Sequence, residues 1–365
     1  MNSSEKKLFV AATRQNDGKS TICLGLLQVL RERYHRVGFM KPVGQHYVEQ
    51  EGYKVDEDVV LMRDVCGMKN NLKDMNPITV ERGFTERYIE EGGLEKYVKM
   101  IKDSYARISQ NKELMLIEGT GHAGVGAVFD LSNASVARLL GSKVILISTG
   151  GIGRPIDEIV INKALFDQEG VEIVGVVINK VLPEKYEKVK KITRMGLERK
   201  GIKLFGVIPF QECLTYPTME QILEATGADI ICCGEFLQKK VENILVGAME
   251  PYHALAHFAP HSLIIVPGDR EDIILASIAG ERVLGKDYEI AGMVLTGDLL
   301  PHEGVLKLMK ESCFPILLSK DDTYTTAKKV YECRVKIRAK DEDKVKEAAY
   351  LVNDYLDVES IIARI

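Results

Sequence analysis

The 365-residue chain has no tryptophan, no apolar run approaching the ~20 residues that span a bilayer, and no marked excess of either charge. The missing tryptophan excludes no chemistry. The missing apolar run excludes a membrane-spanning helix. The apolar stretch 8–12 is too short for a secretory h-region, so no signal peptide is expected. Lys and Arg number 49 against 53 Asp and Glu, and a net charge of −4 offers no general basic surface for nucleic acid. C-x-x-C spacing is absent too. The seven cysteines are odd in number and scattered, which argues against a disulfide framework or a zinc site. Reduced thiols in a cytoplasmic protein are expected instead. There is no internal repeat and no low-complexity tract.

What is present reads as a soluble globular chain, with 45% hydrophobic and 28% charged residues. Its length exceeds the ~100–200 residues of a usual domain, so two domains are expected. Apolar runs of strand length at 8–12, 37–40, 114–117, 144–147, 173–178 and 204–208 alternate with helical patterns at 20–33, 156–168 and 184–200. Continuous apolar strands are covered on both faces, and the alternation implies right-handed βαβ units. The expectation is an α/β fold with a mostly parallel sheet over residues 1–212. After Pro209, the stretch 211–217 reads as a boundary. A smaller α/β pattern over 213–335 has strands at 262–266, 290–295 and 315–319, with helices at 272–283 and 303–312. Residues 336–365 form a charged helical tail. Its stripe of Val345, Ala348, Val352 and Leu356 packs on the body or on a partner chain.

The strongest chemical signal is Ala12-Thr13-Arg14-Gln15-Asn16-Asp17-Gly18-Lys19-Ser20-Thr21, between a buried-type strand and an amphipathic helix. Such a turn surrounds phosphates with backbone N–H groups at a helix N-terminus. Gly18 permits close approach, Lys19 faces the β- and γ-phosphates, and the Ser20 hydroxyl suits Mg2+. Ala12 stands where the usual pattern has glycine, with one more residue before Gly18. A serine at a helix start can be a mere cap; the flanking strand and helix favour the phosphate loop. Glu118 ends the strand 114–117, at the sheet edge where ligands of α/β folds bind. A charge there is costly unless paired. Asp56 and Asp58 follow the second strand and are either magnesium-side carboxylates or a solvated helix start. Lys41 sits in Met40-Lys41-Pro42-Val43-Gly44, kept extended by Pro42, where it can stabilise phosphoryl charge or simply face solvent.

The loop ending Gly18-Lys19-Ser20, then Lys41-Pro42-Val43, Glu118-Gly119, Ser148-Thr149-Gly150-Gly151-Ile152-Gly153, Gly175-Val176-Val177-Ile178-Asn179-Lys180 and Gly206-Val207-Ile208-Pro209 resemble dethiobiotin synthetase and its P-loop relatives over residues 6–212. The likeness is strongest to the N-terminal region of long phosphotransacetylases. Pro267-Gly268-Asp269-Arg270-Glu271-Asp272 and Leu295-Thr296-Gly297-Asp298 resemble the DRTGG domain that follows there, with Asp298 in place of a glycine. The acetyl-transferring domain has no counterpart, so acetyl transfer to coenzyme A is not expected.

The resemblance implies an ATP- and Mg2+-binding protein that senses or hydrolyses nucleotide. Thr13, Asn16, Asp17, Gly18, Lys19, Ser20 and Thr21 would hold the nucleotide, with Asn179 at the adenine. Ser20, Asp58 and Glu118 would hold the metal, with Lys19 and Lys41 as the catalytic lysines near the reacting phosphate. It also implies a homodimer, an effector of the second domain and a separately encoded transferase as a possible partner. The alternative is an ATP-dependent ligase that activates a carboxylate or carbamate. The loop Gly121-His122-Ala123-Gly124-Val125-Gly126 departs from the synthetase pattern, so its substrate is not carried over. Arg14 stands where some dimeric P-loop ATPases reach across to the partner's nucleotide, although an exposed loop arginine is the simpler reading. His253, His257 and His261 share a helical spacing that Pro260 interrupts, and packed or solvated histidines are expected rather than a metal site. The lysine-rich stretch 185–203 reads as an exposed crossover helix. Cys232-Cys233 reads as core.

Overall fold

The computed structural model describes residues 5–284 and 288–365. The chain forms two compact units, one running to Gln211 and completed by Ile337–Ile365, the other spanning Glu212–Lys336.

The first unit is built on six strands: β1 (Lys6–Ala12), β2 (Val37–Met40), β3 (Leu114–Glu118), β4 (Lys143–Thr149), β5 (Ile173–Val181) and β6 (Leu204–Pro209). They lie in the order β6-β5-β4-β1-β3-β2 and every pair is parallel. The apolar runs read from the sequence are these strands; 37–40 matches its strand, and the other five runs are one to three residues shorter than theirs. Leu8 through Ala12 and Leu114 through Ile117 are fully buried, because helices cover both faces of the sheet. The order in which successive strands are added reverses beside β1, which has β3 on one side and β4 on the other. The residues following β1 therefore emerge at a topological switch point. In the register, Val10 pairs with Glu118 and Ala12 with Ile147, so the end of β3 stands beside the turn that leaves β1.

That turn feeds the helix Lys19–Arg33, whose Ile22, Leu26, Leu27 and Leu30 are buried as the spacing predicts. Between β2 and β3 the chain makes a hairpin, Tyr47–Gln50 paired antiparallel with Tyr53–Asp56, and the helix Glu57–Cys66. The hairpin escapes a sequence reading because its first strand is largely exposed and carries no apolar run.

Of the stretch 336–365, read from sequence as a separate tail, Ile337–Ile365 is part of the first unit. Its helix Glu342–Tyr355 lies on the helix Lys19–Arg33, so closely that a Cβ on Gly25 would stand 2.2 Å from the Ala348 carbonyl oxygen. Leu356 then bridges Gly206 on β6, and the Lys6 ammonium donates to the carbonyls of Ile362 and Ile365 at 2.8 and 2.9 Å. Of the two destinations open to the apolar stripe, the body takes it.

The second unit carries a mixed five-stranded sheet: β7 (Asp229–Cys232), β8 (Asn243–Val246), β9 (Ser262–Pro267), β10 (Ile290–Thr296) and β11 (Ile316–Leu318), ordered β7-β11-β10-β9-β8, with only β7 antiparallel. The three inner strands are the ones the sequence shows. Edge strands β7 and β8 are half-exposed and lack a continuous apolar signal. His253 lies in the short helix Pro251–Leu255, while His257 and His261 fall beyond it. Among the described residues no three His, Cys, Asp or Glu side chains form a preformed metal cage, and no helix is long and apolar enough to cross a membrane. All seven cysteines are free thiols.

Candidate functional site

The turn from β1 into the first helix is shaped by its own polar groups. The Thr13 hydroxyl and the Arg14 N–H both donate to Asp17 Oδ2 at 2.8 Å, and the Thr13 and Ser148 hydroxyls are 2.9 Å apart. Asn16 and Gly18 are left-handed, with φ of 64° and 95°. Turns that pass through this conformation aim successive N–H groups at one point, as anion cradles do. From the end of β5, Asn179 Nδ2 donates to the Asp17 carbonyl at 2.9 Å and Lys180 Nζ to the Asn16 carbonyl at 2.7 Å. Asn179 thus stands against the loop backbone. A Cβ on Gly18 would meet Asn179 Nδ2 at 2.2 Å. Gly18→Ala is therefore expected to lower stability by about 1–2 kcal/mol from the left-handed backbone alone, measured by urea unfolding. Unchanged stability would contradict this geometry.

The helix begins after Gly18 with no side-chain cap, so Ser20 is not a capping residue. Its Oγ donates instead to Glu118 Oε1 at 2.9 Å. Lys19 is buried, and among the described residues its ammonium makes no hydrogen bond or ion pair. Burial lowers its pKa, with Glu118 opposing and Lys41 adding to the effect. Burial also raises the Asp17 carboxyl.

Opposite the turn, an acidic group converges on Lys41. Asp56 closes the hairpin and caps the helix Glu57–Cys66, accepting from the Asp58 N–H at 3.0 Å and from the N–H groups of Gln45 and His46 at 3.0 and 3.3 Å. Asp58 sits in the first turn of that helix, where the backbone dipole favours an anion. The Lys41 ammonium donates to Asp58 Oδ2 at 2.5 Å and Asp56 Oδ1 at 2.8 Å, and lies 3.8 Å from Glu118 Oε1. All four residues are buried. Neither the solvated helix start nor the surface lysine of the sequence reading survives this packing. Burial alone would depress Lys41, but Asp58, Glu118 and Asp56 hold it well above its ordinary range. Burial pushes Glu118 up to about 7 against the pull of Lys41.

The structure brings Thr13, Asn16, Asp17, Gly18, Lys19, Ser20, Lys41, Asp58, Glu118 and Asn179 to one sheet edge. Thr21 is half-buried in the first helical turn. Arg14 is engaged by Glu158 of its own chain. The sequence reading missed Asn76, whose Oδ1 accepts from the Asp56 N–H at 2.8 Å while Nδ2 donates to the Lys41 carbonyl at 2.8 Å. Its signal was faint, an Asn-Pro turn dipeptide. Asn162, which holds the Ala123 N–H at 2.9 Å after Glu118, had no signal at all.

The donor set fits a hard divalent cation. Mg2+ takes oxygen from one or two carboxylates and completes its shell with phosphate and water. Here a hydroxyl, Ser20, touches a carboxylate, Glu118, whose other oxygen is buried with no hydrogen-bond partner among the described residues. A buried orphan acceptor is costly unless something satisfies it.

Residues 6–218 match the AAA domain family and residues 221–333 the DRTGG domain. The phosphate acetyltransferase of Nitratidesulfovibrio vulgaris is 27% identical over 368 residues, covering 98% of this chain and 51% of the relative. That of Synechocystis sp. is 26% identical over 364 residues, covering 97% and 51%. The chain thus spans about half the length of the curated relatives it matches. Among solved structures, the septum site-determining protein MinD of Pyrococcus horikoshii, complexed with Mg-ADP, aligns with a TM-score of 0.34 at 12% identity, over 58% of this chain and 84% of that one.

Proposed function

This chain belongs to the AAA domain family, and on that premise we propose that it binds ATP with Mg2+ as a nucleotide-sensing or nucleotide-hydrolysing counterpart of the N-terminal half of phosphate acetyltransferases. The observation that carries the reading is the meeting of Ser20 and Glu118 at the mouth of the loop, beside Lys19. In this reading the N–H groups between Thr13 and Ser20 receive the phosphates. Lys19, whose ammonium makes no ion pair or hydrogen bond among the described residues, would supply the positive charge for them. Ser20, Glu118 and Asp58 would hold Mg2+, whose chemistry is to offset charge on the β- and γ-phosphate oxygens. Lys41, 3.8 Å from Glu118 Oε1, would be the second lysine near that charge. The DRTGG unit is the candidate to answer an effector or to mediate assembly, with a second copy of this chain or a separate transferase as partner.

Calorimetric titration of the full chain tests this. Saturable binding of ATP in Mg2+, weakened by EDTA, is expected. No heat with ATP under either condition would end the reading.

A further inference from the structure

Lys41 stands inside the carboxylate group proposed for the metal, and its contacts set up a conflict. Its Nζ contacts Asp58 at 2.5 Å, and Asp58 is one of the proposed metal ligands. It lies 3.8 Å from Glu118 Oε1, the atom that accepts from Ser20. A divalent ion on Ser20, Glu118 and Asp58 would sit within a few ångströms of this ammonium, in a region nearly closed to water. Like charges at such range repel strongly where the local dielectric is low. Three carboxylates face one ammonium, and Lys19 is a second cation acting on one of them, Glu118. Both cations therefore draw on the same limited negative charge.

The backbone around Lys41 is pinned. Its N–H donates to the Met75 carbonyl at 2.8 Å, its carbonyl accepts from Asn76 Nδ2 at 2.8 Å, and Pro42 follows. Any yielding is confined to the lysine's own four-carbon stem.

We infer that Lys41 is a built-in counter-cation that competes with the divalent ion for Asp58 and Glu118, so that the ion enters only together with a nucleotide whose phosphates draw the ammonium away. This rests on the nucleotide reading for its second half only. The first half, competition between an ammonium and a metal for the same carboxylates, can be measured without nucleotide. Lys41 would then make metal capture conditional on ATP and keep free Mg2+ or Mn2+ from settling in the site.

The test is Mn2+ binding to the full chain without nucleotide, followed by electron paramagnetic resonance. Lys41→Met is expected to bind Mn2+ at least tenfold more tightly than the wild type, and the double variant Lys41→Met/Asp58→Asn should lose the gain. Equal affinity of wild type and Lys41→Met, or a gain that survives Asp58→Asn, overturns the inference. If Lys41→Met is unfolded in EDTA, Mn2+ should restore its circular dichroism as it takes the ammonium's place, and failure to restore it counts equally against the inference. These arms contain no ATP. Failure of the nucleotide reading would leave the tenfold difference standing, whereas failure of the counter-cation would leave ATP binding intact.

Discussion

Lys19→Ala is expected to weaken ATP binding by about 10–150-fold while leaving the first unit folded. The affinity loss follows from removing a charge-assisted hydrogen bond, about 1.5–3 kcal/mol. The preserved fold follows from what Lys19 does not do. It is buried without a hydrogen bond or ion pair among the described residues, and burial depresses its pKa. A buried charge without an ion pair gains little from more distant carboxylates such as Glu118, and its removal takes away a desolvation cost that offsets that loss. Calorimetry with ATP and Mg2+ reads the first effect and urea unfolding the second. Affinity unchanged by the substitution would remove Lys19 from the phosphate site. A large drop in stability would mean that the ammonium has a partner within the protein.

Deleting residues 337–365 is expected to unfold the first unit. Leu351, Val352, Leu356, Val358 and Ile361 are all buried. At about 1.5–3 kcal/mol for each large apolar side chain, they contribute roughly 7–15 kcal/mol as an upper estimate. That is the size of the whole stability of a typical domain, about 5–15 kcal/mol. Lys6 would also lose both carbonyl acceptors, and the face of the helix Lys19–Arg33 at Gly25 would be laid open. Hydrogen exchange read by mass spectrometry on β1 and β6 is the direct measure, since the chain has no tryptophan to report on packing. Protection in β1 and β6 equal to that of the full chain would show that the C-terminal segment is only an appendage.

The phosphate loop was legible because its signal is local. A buried strand, a glycine, a lysine and a hydroxyl residue follow one another within the span of one strand and one turn. Glu118 was legible for a related reason: a carboxylate directly after a fully apolar strand has to find a partner. Lys41 and Asp58 were visible as candidates, but their meeting was not. They lie 17 positions apart, joined by an exposed hairpin with no apolar alternation to announce it. The edge strands β7 and β8 were lost the same way, since a half-exposed strand carries a diluted pattern. The C-terminal stripe is legible in the sequence, but its docking partner is not, because periodicity shows which face is apolar and not what covers it.

By itself the sequence determined the βαβ alternation, the position of the turn at the mouth of β1 and the residue types that face it. Periodicity and short motifs depend only on neighbours in the chain. Tertiary structure decided which charges are partners. It set Lys41 among Asp56, Asp58 and Glu118, left Lys19 without an ion pair among the described residues, and brought the helix Glu342–Tyr355 back onto the first. Those outcomes depend on distances between segments far apart in the chain and on the exclusion of water between them. Pairing strength and desolvation come into being only once the chain has closed around them.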